Sequence, residues 1–121
     1  MRIRSGFVSN SSSSSFVIQK KRYSKDELEI ILDPKKYESE IKKILLNKLM
    51  YSEDLTREES EYQLGNYGGL DSIKDVDLWS VNVRGDEIKF YTDMDNFQWD
   101  EFVKVVERLN KEEIERIVGV E

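Results

Sequence analysis

The sequence predicts an α+β fold: a small, mostly antiparallel sheet, made of an N-terminal strand plus a C-terminal hairpin, covered by helices on one face. Three observations carry this. Residues 76–92 hold two alternating apolar runs separated by Gly85-Asp86, a two-residue hairpin loop. Two long stretches, 24–50 and 95–118, place apolar residues at helical spacing behind recognisable N-caps. A run of aromatic and β-branched residues, Phe16-Val17-Ile18, precedes the first of them.

Taken in chain order, Ser15-Phe16-Val17-Ile18-Gln19 reads as a short strand. Ser24 opens a helix, with Glu27 three residues on as its capping-box partner and Leu28, Ile31 and Leu32 as its apolar stripe. Asp33 then serves as N-cap and Pro34 as the first residue of a second helix, where the missing N–H costs nothing. Tyr37, Ile41, Ile44, Leu45 and Leu49 carry that helix to about Met50. Residues 52–75 follow neither period clearly: 56–64 suit a helical turn or two, Gly65, Gly68 and Gly69 break the chain, and the aromatics Tyr62 and Tyr67 are expected to plug the core edge.

Placing Gly85 first in a type II′ loop fixes the hairpin register. Arg84 faces Glu87, Val83 faces Ile88, Val81 faces Phe90 and Trp79 faces Thr92, so all the apolar partners share one face. Beyond it, Asp95 is the expected N-cap of a helix with Gln98 at N3, Met94 and Trp99 as a hydrophobic staple, and Asp100 and Glu101 complementing the helix dipole. Trp99, Phe102, Val103, Val106 and Leu109 form its apolar face, and Asn110 caps a last helix with Ile114, Ile117 and Val118 inward.

Composition narrows the chemistry. The chain has 121 residues, enough for one core, and contains neither cysteine nor histidine. Disulfides, thiolate nucleophiles, zinc–thiolate sites and imidazole bases are thereby excluded. A net charge of −6 argues against general nucleic-acid binding. The local clusters Lys20-Lys21-Arg22, Lys35-Lys36 and Lys42-Lys43 read as solvated helix faces. No apolar run has the length of a membrane span or the h-region of a secretory signal, so a soluble cytoplasmic protein is expected, with no membrane partner and no cofactor.

Asp93, Asp95, Asp100 and Glu101 invite comparison with a calcium loop, but Gln98 stands where that loop needs Gly and Lys104 where it needs Glu. Helix capping accounts for these acids without a metal. A Mg²⁺-dependent hydrolase using Asp93, Asp95 and Glu101 has no further motif behind it. Gly6 and the neighbouring serines have the composition of an anion-holding nest, without the Gly-Lys-Ser/Thr ending and following helix of a P-loop.

The segment Arg4-Ser5-Gly6-Phe7-Val8-Ser9-Asn10, followed by Ser11, Ser12, Ser13, Ser14, Ser15 and Phe16, is the least ordinary part of the chain. Serine runs normally mark linkers, yet Phe7-Val8 and Phe16-Val17-Ile18 bracket this one. The segment resembles the N-terminal signature, R-x-G-F-V-S-N-S-S-S-S-S-F, of a scattered set of uncharacterised proteins from bacteriophages and bacteria. The stretch Thr92-Asp93-Met94-Asp95-Asn96-Phe97 resembles a second segment found in some of them. The resemblance implies a phage or prophage origin and, because the signature precedes otherwise dissimilar sequences, a portable tag; it brings no activity or cofactor.

The resulting expectation divides the chain into a Ser-rich recognition segment, 1–15, and a single α+β domain, 16–121. Arg4, Gly6, Phe7, Asn10, Ser11 to Ser15 and Phe16 are the candidate binding or modification residues, with no catalytic or metal-ligating residue. The expected role is a phage-type accessory protein that binds a protein partner in the host bacterial cell. The alternative is a structural subunit of a phage particle or other multi-chain assembly, which would make the protein virion-associated. An acidic DNA mimic would need more charge than −6.

Overall fold

The computed structural model describes residues 14–65, 69–93 and 97–119. Their elements run β1 (Ser14–Gln19), α1 (Lys25–Leu32), α2 (Pro34–Ser52), α3 (Arg57–Gly65), β2 (Trp79–Arg84), β3 (Glu87–Thr92), α4 (Trp99–Glu107) and α5 (Lys111–Val118). Short 3₁₀ turns at Lys20–Arg22 and Ile73–Leu78 lead into α1 and β2. The strands form one antiparallel sheet in the order β1-β3-β2, and the helices pack against one of its faces. The α+β architecture predicted from the sequence is the one observed.

The hairpin has the predicted register, from Arg84↔Glu87 to Trp79↔Thr92, with Gly85 at φ 60°. The N-terminal strand closes the sheet on the other side of β3, pairing Phe16 with Phe90 and Ile18 with Ile88. Side chains alternate across a strand, so Phe16, Ile18, Ile88, Phe90, Thr92 and Trp79 face the helices. On that face six rings meet. Phe16 stacks on Phe90 with centroids 4.6 Å apart, Trp99 lies 4.8 Å from Phe90 and 5.6 Å from Trp79, and Phe97 contacts both Trp99 and Phe102. Both buried indoles find acceptors, Trp79 at the Phe97 carbonyl and Trp99 at the Ile31 carbonyl, as buried donors must.

Local chemistry explains the helix boundaries. Ser24 and Glu27 make the expected capping box, and Asn110 makes a second one with Glu113. Pro34 sits at N1 of α2 as predicted, but the Asp33 side chain makes no cap bond there; its N–H instead closes α1 on the Ile30 carbonyl. Because each helical residue advances about 100°, the inward face of α1 is centred between Ile30 and Ile31. Leu32, expected on the apolar stripe, is therefore turned out to solvent.

Two further expectations are corrected. Helix α4 starts at Trp99, with Gln98 at N-cap and not at N3, because the N–H groups of Glu101 and Phe102 both turn back to the Gln98 carbonyl. The proposed N-cap Asp95 and staple residue Met94 lie outside the described residues. In the 52–75 stretch a full helix, α3, forms behind a reciprocal Thr56–Glu59 cap. It buries Leu64, while Leu70 and Ile73 fill the core beyond it. Tyr62, expected at the core edge, is 75% exposed; Tyr67 lies outside the described residues.

Gly69 ties this stretch to α4. Its φ is 95°, and a Cβ there would lie 2.8 Å from the Glu101 carbonyl carbon. Only glycine permits both the conformation and the backbone-to-backbone approach. Elsewhere the helices are clasped by polar contacts: Lys48 of α2 reaches Glu113 of α5 at 3.0 Å, and the Tyr23 hydroxyl donates to Glu107 of α4. Burial and that hydrogen bond push the Tyr23 phenol up to about 12.

Gly69→Ala is expected to cost about 1–3 kcal/mol from the positive φ alone, and more from the displaced α4 backbone. A lowered urea midpoint measures this, and an unchanged midpoint would contradict the packing. Glu113 supplies a pH-dependent contribution. Burial alone would raise its carboxyl, but the Asn110 backbone N–H and the Lys48 ammonium outweigh burial and hold it below its ordinary 4.5. A depressed carboxylate stabilises the fold above its unfolded value and loses that contribution as pH falls through the folded one. Glu113→Gln should therefore cost about 0.5–1 kcal/mol at neutral pH, limited because Lys48 is partly solvated. The gap to the parent protein should narrow below pH 4.5 in a pH series of urea titrations.

Candidate functional site

The serine run meets the fold at β1. Arg4, Gly6, Phe7, Asn10, Ser11, Ser12 and Ser13 lie outside the described residues. Ser14 and Ser15 belong to the strand itself, facing Thr92 and Tyr91 of β3. Ser14 points into the helix-covered face and is buried, whereas Ser15 lies half-buried on the open face. Phe16, expected to anchor a peptide on a partner, is a core residue at 8% exposure. Its ring lies flat on Phe90, 4° from parallel, and edge-on to Trp79. An aromatic side chain at an alternating position beside β3 buries its area in the sheet's own core, so it is unavailable to a partner.

Phe16 and Ile18 hold β1 in place in the sheet. The open face beside it consists of three cross-strand rows: Ser15–Tyr91–Ser80, Val17–Lys89–Asn82 and Gln19–Glu87–Arg84. Small hydroxyls flank Tyr91, a hydrocarbon and an amide flank Lys89, and Glu87 stands between Gln19 and Arg84. The Tyr91 hydroxyl donates to the Asp93 carboxylate, and this hydrogen bond raises the phenol above its ordinary value. Tyr91 and Val17 are the exposed large hydrophobic side chains of this face. Alternation marks them in the sequence, but only the pairing of β1 with β3 shows that they lie beside the serine run.

The other candidate chemistry is dispersed. Asp93 is engaged by Tyr91, Asp100 and Glu101 lie in the first turn of α4, and Glu101 faces Lys104. Among the described residues no three acidic side chains converge in a way that could hold a metal ion. The basic clusters are tied down locally. Lys42 pairs with Glu38, Lys43 with Glu40 and Lys35 with Asp77, while Lys36 stands over the Tyr37 ring. The Lys20 and Lys21 backbone N–H groups both reach Asp86, at its carbonyl and its carboxylate, joining the end of β1 to the hairpin loop. Among the described residues no helix is long and apolar enough to cross a membrane.

No protein-family model, curated protein or solved structure matches the chain, so a role must be argued from this geometry.

The two faces of β1 make a direct contrast. Phe16→Ala should cost about 3–5 kcal/mol, the range for a buried aromatic truncated in a packed core. Val17→Ala, one residue along on the open face, should stay within about 0.5 kcal/mol. Urea titration of both variants checks this; equal effects would mean that Phe16 is not the anchor of the strand.

Proposed function

We propose that this chain is a non-enzymatic binding protein of the phage or prophage accessory kind that its N-terminal signature resembles. It offers the segment preceding Ser14 to a protein partner from the end of β1. The observation that carries this reading is the division of the serine run. Its last two residues are built into an edge strand fixed by the Phe16–Phe90 stack, and the signature residues Arg4 to Ser13 precede that fixed point. A low-bulk, Ser-rich peptide preceding a sheet edge suits strand addition or seating in a groove, modes in which main-chain hydrogen bonds supply affinity and a few side chains supply selectivity. Phe7 is then the aromatic that meets the partner, and Arg4 the charge that orients it. The open face beside Ser15, with Tyr91 and Lys89, offers supporting contacts. Under this reading the protein works in the cytoplasm of the host bacterium.

The test compares the full chain with one lacking residues 2–13, which keeps all of β1. Both are used as bait in host-cell lysate, and their circular dichroism and thermal melts are recorded. The truncated chain should retain the fold and lose the co-purifying partner. A truncated chain that no longer folds would make the segment part of the body, and one that retains the partner would move the binding surface elsewhere.

A further inference from the structure

The far edge of the sheet has a property unrelated to the N-terminal segment. Among the described residues β2 is an edge strand, paired to β3 alone. Val81 and Val83 share the helix-facing side with Phe90 and Ile88, yet they are 40% and 52% exposed because the helical layer stops short of them. Leu78, just before the strand, is exposed as well. Edge strands of monomeric proteins are usually blunted by charge, proline or a bulge. Residues 79–83, Trp-Ser-Val-Asn-Val, carry none of these, and β2 pairs with β3 residue for residue.

The direction of the free backbone groups follows from the hairpin. In a two-residue loop the flanking residues, Arg84 and Glu87, bond to each other. By the alternation of antiparallel pairing, Asn82 and Ser80 also turn their N–H and C=O groups to β3. Val81 and Val83 turn theirs to the open edge, and so does the carbonyl of Trp79, whose N–H is taken by Val76. Buried or edge amide groups without partners are templates for another strand.

We propose that this edge pairs with the same edge of a second copy of the chain, antiparallel and centred on Val81. Residue for residue the strand is its own complement in this register. Val81 meets Val81 of the other copy, and their outward N–H and C=O groups satisfy one another. Val83 meets Trp79, donating to the carbonyl that Trp79 leaves free. Ser80 meets Asn82 on the opposite face, and Arg84 lies beyond the paired segment, beside the turn that precedes the other copy's β2. Residues 79–83 carry no charge, so the paired strand segments set no like charges opposite one another. A shift by one residue in the sum of paired positions would set Val81 against Asn82 and match an apolar side with a polar one, which rules out such registers; the cross-link at position 81 separates the Val81-centred register from the one that sets Val81 against Val83. The product is a continuous six-stranded sheet whose middle is an apolar cluster of Val81 and Val83 from both copies. One short strand per copy makes a small interface, hence a weak and concentration-dependent dimer.

The test uses the full chain. Sedimentation over a rising concentration series should show a monomer–dimer equilibrium. Val81→Lys, which places two ammonium groups opposite each other, should abolish the dimer while leaving the far-UV circular dichroism unchanged at a site already exposed. As a second readout, the chain has no cysteine, so Val81→Cys introduces a single thiol. Directly opposed, hydrogen-bonded residues lie about 5.5 Å apart between Cα atoms, within reach of a disulfide. Mild oxidation should therefore cross-link Val81→Cys to a covalent dimer and leave Val17→Cys, on β1, monomeric. A chain that stays monomeric at every concentration overturns the proposal, whether the edge is bare or taken by a different partner. So does a dimer that survives Val81→Lys, or cross-linking that is equal at positions 17 and 81.

Discussion

The indole N–H of Trp99 donates to the Ile31 carbonyl at 2.8 Å, and the rest of the packing is arranged around that bond. Helix α1 ends at Leu32 because Asp33-Pro34 follows. Pro34 has no N–H to offer the Ile30 carbonyl, which takes the Asp33 N–H instead. The next carbonyl, that of Ile31, accepts its bond from another element altogether. The ring that supplies the donor is the hub of the aromatic cluster, against Trp79 and Phe90 of the sheet and Phe97 ahead of α4. One side chain thus ties the end of α1 and the start of α4 to each other and to the sheet. A buried carbonyl left unsatisfied costs about 1–3 kcal/mol, so this polar bond sets the register in which the apolar surfaces meet.

The same cluster determines what each edge of the sheet can do. At β1, Phe16 reaches inward and stacks on Phe90, so the strand is held by its side chains as well as by its ladder. At β2, Trp79 alone reaches the cluster, and Val81 and Val83 run out past the helices. One edge is anchored and leads to the serine segment, while the other keeps apolar side chains and amide groups outside the core. Among the described residues the helical layer does not extend over the far rim of the sheet.

Much of this was legible in the sequence because the signals were local. Gly85-Asp86 with matched alternation specified the hairpin pair by pair, and Ser24-x-x-Glu27 specified a helix start. Thr56-x-x-Glu59 is the same kind of signal, but the helix behind it buries only Ser60 and Leu64, too few apolar positions to display a period. Asp95-x-x-Gln98 imitated a cap, and the competing turn at Gln98 could not be seen without the carbonyl directions. The role of Gly69 depends on an α4 backbone more than thirty residues away, which no local pattern reports. Phe16 illustrates the limit at the candidate site. A Phe after a serine run fits a recognition peptide and a core strand equally well until its neighbour across the sheet is known. Alternation likewise shows which side Val81 and Val83 occupy, but not how far the helical cover extends over that side.

The pairing of Ser14 with Thr92 also orders events in time. During synthesis β1 emerges well before β3, its strand partner among the described residues, so that pairing waits until β3 has left the ribosome. Through that interval the complete five-serine run is accessible on the nascent chain. When β3 arrives, Ser14 is drawn under the helical layer and Ser15 into the cross-strand row with Tyr91. An enzyme acting on the run would reach the Ser14 hydroxyl on the growing polypeptide but not beneath the helical layer, so a mark on Ser14 would record a visit made before folding.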